Sequence, residues 1–159
     1  MCGLNEDNKQ NDANKREIPW LGDNCLDLAR TLAQRSDCIR RQYGCVIVKD
    51  GRIVSTGYNA APKYELSCYV RGYCARKGCK HNSGSYDECS SVHAEQQALI
   101  NADPRDLDGA TVYLVGFENG VELTDVEPCP ICKRMLYFAK IKSYMTNSER
   151  KDFNHESYH

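Results

Sequence analysis

Two short stretches constrain this chain more than anything else in it: His93-Ala94-Glu95 and Pro128-Cys129-Pro130-Ile131-Cys132. Each opens a segment of helical propensity after a loop. Cys129 and Cys132 are three positions apart, a spacing that puts both sulfurs on one face of a helix. In a first turn they also feel the positive end of the helix dipole, which favours thiolates. Two thiolates and one imidazole make three ligands, whereas tetrahedral zinc takes four. One position left open for water is the arrangement of a catalytic zinc, not a structural one. His93 and Glu95 are two apart and would diverge within a regular helix, so they converge only at a helix start. The expectation is therefore that His93, Cys129 and Cys132 hold zinc. Glu95 would stand beside it as a carboxylate that takes and returns a proton.

The chain has ten cysteines in 159 residues. That number suits a disulfide scaffold only in an oxidising compartment. The N-terminal segment MCGLNEDNKQNDANKRE has no apolar stretch of the kind a secretory leader needs. Metal binding is the better account of clustered thiols, and a soluble, cytoplasmic protein is expected. Cys25 and Cys45 lie among periodic apolar residues and read as small core side chains. No apolar run reaches the ~20 residues of a membrane span. With 21 Lys and Arg against 22 Asp and Glu, the net charge is -1. A nucleic-acid partner held through phosphate contacts normally calls for a basic excess, so none is expected. A small anionic ligand gripped by two or three cations remains compatible.

The length fits one domain. Residues 1–17 are polar and read as a disordered tail. Leu26, Ala29, Leu32 and Ala33 recur at helical spacing, giving a helix over 23–36 capped by Asp23 or Asn24. Residues 43–50 and 52–59 read as two strands joined at Asp50-Gly51, a strong hairpin signal. Residues 60–91 show no sustained period, and a loop of that length points to function or to a metal staple. A helix is expected over 92–102 and a strand buried on both faces at Ala110–Phe117. Pro128 is placed as the first residue of a further helix, and Ile141 to Thr146 as a fourth strand. Residues 148–159 read as a polar tail, which leaves a single unit over 18–147. The order α-β-β-α-β-α-β implies a three-layer α/β/α domain with a mixed sheet.

Taken together, the two stretches are similar to the H-x-E…P-C-x-x-C signature of zinc-dependent deaminases. The chain resembles the cytidine/deoxycytidylate deaminase family, and within it most closely the dCMP deaminase branch. Ser91 to Leu99 resembles the family's zinc helix, Arg35 to Gly44 the stretch leading into its first strand, and Gly57-Tyr58-Asn59-Ala60-Ala61-Pro62 its substrate loop. The resemblance implies a cytidine-deaminase-like fold and catalytic zinc on His93, Cys129 and Cys132, with Glu95 as proton shuttle. It also implies Asn59 on the sugar 3′-hydroxyl, Ala94 and Pro128 at the substrate, and a homo-oligomer. The implied reaction is hydrolytic attack at C4 of the cytosine ring of dCMP, giving dUMP and ammonia in pyrimidine nucleotide metabolism. A fifth strand, often found in the family near the end of the chain, is not evident.

Cys68, Cys74, Cys79, His81 and Cys89 crowd the 60–91 loop, and Cys38 precedes the first strand. Thiolates at that density favour zinc. Some dCMP deaminases carry a second, structural zinc, and Cys38, Cys68, Cys79 and Cys89 are the expected closed shell, with Cys74 and His81 as substitutes. Candidate cations for a substrate phosphate are Lys63, Arg71, Arg76, Lys77, Lys80, Arg40 and Arg41. Tyr64, Tyr69, Tyr73 and Tyr86 are candidates to pack over a base. Alternatives remain at this point: a deaminase of another cytosine or adenine substrate (cytidine, or tRNA adenosine, whose enzymes also resemble Glu127 to Cys132), or a non-catalytic zinc-binding interaction module.

Overall fold

A computed structural model describes residues 18–84 and 86–153; the expected N-terminal tail lies outside them. The first helix, α1 (Leu21–Ala33), starts two residues before the expected point, with Trp20 in extended conformation at its N-cap. Strands β1 (Arg41–Lys49) and β2 (Arg52–Tyr58) form the expected antiparallel hairpin. Asp50 and Gly51 both have positive φ, 49° and 74°, the requirement of the tight turn whose twist matches that of the flanking strands. A four-residue helix, α2 (Cys68–Arg71), interrupts the long loop. Helix α3 (Ala94–Asn101), strand β3 (Thr111–Glu118) and the two-residue β4 (Val121–Glu122) follow. Then come α4 (Pro130–Phe138), β5 (Ser143–Met145) and β6 (Arg150–Asp152).

The sheet runs β2-β1-β3-β5-β6, with β4 folded back on β3. Only β3 and β5 are parallel, so the sheet is mixed as expected. Its two faces are separated by strict alternation. On β1 and β3, Cys45, Ile47, Val112 and Leu114 enter one core cluster with Ala94 and Ala98 of α3 and Leu136 of α4. Their neighbours Val46, Val48, Tyr113 and Val115 enter the other, with Cys25, Leu26 and Ala29 of α1. A strand buried on both faces must be apolar throughout, which is why these two read as continuous runs. Cys25 and Cys45 are wholly buried, as expected of core thiols.

Two differences from the sequence reading affect the domain. Polar Arg150–Asp152 pairs antiparallel with β5, so the segment expected to be a free tail begins with an edge strand. Charged side chains suit an edge because they remain solvated while the backbone pairs. Phe153 then packs on Tyr144, ring centroids 5.5 Å apart. The second difference is at α4. Pro130, not Pro128, is the first helical residue, and Cys129 is its N-cap. Pro128 is buried in the approach to the helix.

Close packing sets the helices on the sheet. A Cβ on Gly44 would sit 1.8 Å from the Ala29 carbonyl oxygen of α1, and one on Gly57 would sit 2.2 Å from the Ala94 carbonyl oxygen of α3. Backbone lies against backbone at both points, which only glycine permits. The Gly57 contact seats the first turn of α3 on β2.

Candidate metal centre

Both sequence motifs are helix starts. His93 is the N-cap of α3 in extended conformation, with φ -68° and ψ 155°. Its backbone N–H donates to Gln96 Oε1 at 2.9 Å, half of a capping box. An isolated bridge between Ala60 and Val92 ties the 57–62 loop to the residue before it. Across the cleft, Cys129 caps α4, and its sulfur accepts from the Cys132 N–H at 3.4 Å. The helices bring their caps together at the end of the sheet where β3 finishes and β1, running antiparallel, begins.

His93 Nδ1 lies 3.5 Å from the Cys129 sulfur and 3.4 Å from the Cys132 sulfur. Zn–S bonds of ~2.3 Å and a Zn–N bond of ~2.0 Å at tetrahedral angles require an S···N separation of roughly 3.5 Å. The three donors thus already stand at the spacing that zinc imposes. They are the one group of three or more metal-binding side chains among the described residues whose donor atoms all lie within 4.8 Å of one another.

The charges are strongly coupled. A hydrogen bond from Cys132 pulls the Cys129 thiol far below its ordinary range, with a further bond from His93 in the same direction. The same hydrogen bond between the two sulfurs pushes Cys132 up, as does its burial. Burial opposes a charge on His93, but the Cys129 bond and the nearby Glu95 carboxylate outweigh it and raise its proton affinity. Donors sharing protons in this way are ready to exchange them for a divalent cation. Glu95, in the first turn of α3, is 6 % exposed. Burial raises its pKa, against the pull of its own backbone N–H, of His93 and of the Cys132 thiol. Glu95 is therefore beside the donors, desolvated and able to hold a proton.

The group opens into a solvent-connected cleft with a cavity volume of about 90 Å³. Glu95, Ala94, His93, Cys129 and Asn59 line it; Pro128 does not. Asn59 is buried and held at both ends. Its Oδ1 accepts from Tyr43 N at 2.7 Å and its Nδ2 donates to the Arg41 carbonyl at 2.9 Å. One N–H and one lone pair remain for a ligand. Of the seven cations considered, Arg40, Arg41 and Arg76 face the cleft. Of the four tyrosines only Tyr86 does, whereas Tyr64, Tyr69 and Tyr73 are exposed. Tyr86 meets the His93 ring edge-on at 5.0 Å, and the Arg76 guanidinium stacks over Tyr86 at 4.3 Å. Nothing in its loop marks Tyr86 out from the other tyrosines in sequence.

The second cysteine cluster is rearranged relative to expectation. Cys38, Cys68, Cys74 and Cys89 line the cleft, and Cys79 does not. The Cys68 thiol is pushed up by burial and by Cys74, Cys38 and Cys89, and it hydrogen-bonds Cys74. Cys79 ends the second of two successive turns, and its carbonyl is taken by Arg40. Neither the expected Cys38, Cys68, Cys79 and Cys89 nor the set with Cys74 brings three sulfurs within 4.8 Å of one another. All nine described cysteines are free thiols.

Comparison with known proteins agrees with this geometry. Residues 22–147 match the model of the cytidine and deoxycytidylate deaminase zinc-binding region. The deoxycytidylate deaminase of Mycobacterium phage D29 is 38% identical over 117 residues, covering 70% of this chain and 81% of that protein. The deoxycytidylate deaminase of Saccharomyces cerevisiae is 36% identical over 108 residues, covering 67% of this chain but only 31% of that longer protein. A crystal structure of dCMP deaminase from cyanophage S-TIM5, in complex with dCMP and dUMP, superposes with a TM-score of 0.58 at 26% identity. It covers 82% of this chain and 83% of the other.

Proposed function

The chain belongs to the cytidine and deoxycytidylate deaminase family, and on that premise we propose that it is a zinc-dependent hydrolase converting dCMP and water to dUMP and ammonia. The observation that carries the proposal is the set of three donors at zinc spacing with a buried, protonatable Glu95 beside it. His93, Cys129 and Cys132 hold the metal, which when bound supplies the Lewis acidity that makes water nucleophilic near neutral pH. Glu95 takes a proton from the attacking water and later gives one to the departing amine. Its burial suits both roles, because a raised pKa lets one carboxyl act as base and then as acid. Asn59, fixed by the backbone of β1, offers its free N–H and lone pair to the sugar hydroxyl. Ala94 lines the cleft wall. Pro128 shapes the approach to α4 and makes no direct contact with the cleft.

A second, structural zinc on Cys38, Cys68, Cys74 and Cys89 belongs to the same proposal. It is supported by the four cysteines lining one cleft, where binding a metal would draw together sulfurs that do not yet form a group within 4.8 Å. No helix among the described residues is long and apolar enough to cross a membrane. We place the protein in a reducing cytoplasm, in keeping with its free thiols. We also propose a homo-oligomer that covers the exposed Ile100 of α3 and Phe138 of α4; sedimentation of wild type as a monomer would remove that part.

The deciding assay is ammonia release from dCMP, deoxycytidine, dCTP, cytosine and a tRNA anticodon hairpin, side by side. dCMP should be turned over best. Activity confined to the tRNA hairpin, or none with zinc bound, would replace the proposal by one of the rival readings.

A further inference from the structure

The geometry points to Arg76 and Arg41 as the pair that grips the 5′-phosphate, so that the cysteine-rich loop and the start of β1, not the metal centre, set the preference for a monophosphate over a nucleoside. This inference rests on the dCMP reading above. Among the described residues, three buried side-chain polar atoms lack a hydrogen-bond partner, and two of them are Arg41 Nε and Arg76 Nε. A buried N–H left unpaired costs on the order of 1–3 kcal/mol, more when charged, so two of them at one cleft call for an absent acceptor. Both arginines line the cleft that holds Glu95 and His93.

Each guanidinium is held by contacts away from Nε. Arg76 stacks on Tyr86 and donates from Nη2 to the Gly84 carbonyl at 2.8 Å. Arg41 reaches Tyr43 Oη at 3.4 Å and Glu118 at 3.3 Å, both long for charge-assisted bonds. Arg40 is excluded from the role because its two terminal nitrogens donate to the carbonyls of Arg76 and Cys79. Those bonds fasten the segment that carries Arg76 to the start of β1, beside Arg41. The competing carboxylate on the cleft wall, Glu127, is already paired with Lys133 and more distantly with Lys151. Two guanidinium groups with a free N–H each, Arg76 held by stacking and a backbone bond and Arg41 by two side-chain contacts, match the oxygens of a phosphate monoester. Through Tyr86, Arg76 is also tied to His93, so the anion grip and the metal centre share one wall.

The test uses zinc-loaded, full-length protein and calorimetric binding of dUMP, deoxyuridine and inorganic phosphate, which reads affinity without turnover. Wild type should bind dUMP more tightly than deoxyuridine. Arg76→Ala and Arg41→Ala should each weaken dUMP by ~10–100-fold, the scale of a lost charge-assisted bond, and bring it toward deoxyuridine. Arg76→Lys keeps the charge but not the Nε donor and should lose most of the same preference. Deoxyuridine affinity in each variant reports whether the base pocket is intact. An unchanged ratio of dUMP to deoxyuridine affinity in Arg76→Ala overturns the inference. Equal loss of both ligands does so too, since Arg76 would then only hold the loop. If wild type turns over dCMP and the ratio stays unmoved, this inference alone fails. If wild type neither turns over dCMP nor binds dUMP, the reading it rests on has failed first.

Discussion

Substituting Gly57 by alanine tests whether the sheet positions the metal centre. The new Cβ would lie 2.2 Å from the Ala94 carbonyl oxygen and 2.7 Å from the Ala98 nitrogen. Both are backbone atoms of α3, so no side-chain rotation relieves the clash. Ordinary contact begins at 3.4 Å, so either α3 or β2 must retreat by about 1 Å, at a cost of roughly 1–3 kcal/mol for overpacking. If α3 moves, it carries His93 and Glu95 with it, and a displacement of ~1 Å at reacting groups costs on the order of 10²-fold in rate. β2 is an edge strand with β1 as its one partner, so its retreat would spare the site. We expect the helix to give way in part, because pulling β2 back breaks its ladder to β1. The assay is turnover of dCMP, zinc content and thermal unfolding of Gly57→Ala, with the exposed Arg52→Ala on the same strand as control. Turnover within twofold of wild type, with full zinc content and an unchanged Tm, would refute the reasoning.

The remaining expectations concern chemistry and stability. Glu95→Gln should keep zinc but lose at least ~10²-fold in turnover, the usual scale of acid–base catalysis; full activity would remove the proton role. Cys129→Ser should lose both metal and activity, read by metal analysis. Wild type should contain about two zincs per chain by elemental analysis, at four ligands for a structural site, and Cys74→Ser should lose one of them while Cys79→Ser does not. Glu122 is held below its usual 4.5 first by the hydrogen bond from Arg30, and also by one from Asn147. A depressed folded pKa means stability that is present above the unfolded value and is lost as pH falls through the folded one. Glu122→Gln should therefore destabilise in urea at pH 6. Its deficit should shrink below about pH 4.5, and a deficit that is constant with pH would exclude the ion pair as its source.

The metal donors were legible in the sequence because their chemistry is local. The i,i+3 cysteines and the i,i+2 His-Glu pair each demand a helix start, and His93 and Cys129 are both N-caps. The hairpin at Asp50-Gly51 and the two doubly buried strands were legible for the same reason: turn chemistry and alternation are written within a few residues. The start of α4 differs by two residues from the sequence reading because either proline of the pair Pro128 and Pro130 can open a helix, and the structure opens it at the second, with Cys129 as cap. Strand β6 was missed because Arg150–Asp152 has no apolar signal; its place comes from pairing with β5. What only tertiary structure decided is which residues of the long insert share a wall with the metal donors. Tyr86 and not Tyr73, Cys74 and not Cys79, Arg76 and not Lys77 face inward. In a loop without periodicity, adjacent residues of one type are equivalent until distant backbone, here the start of β1 through Arg40, fixes which side meets the cleft.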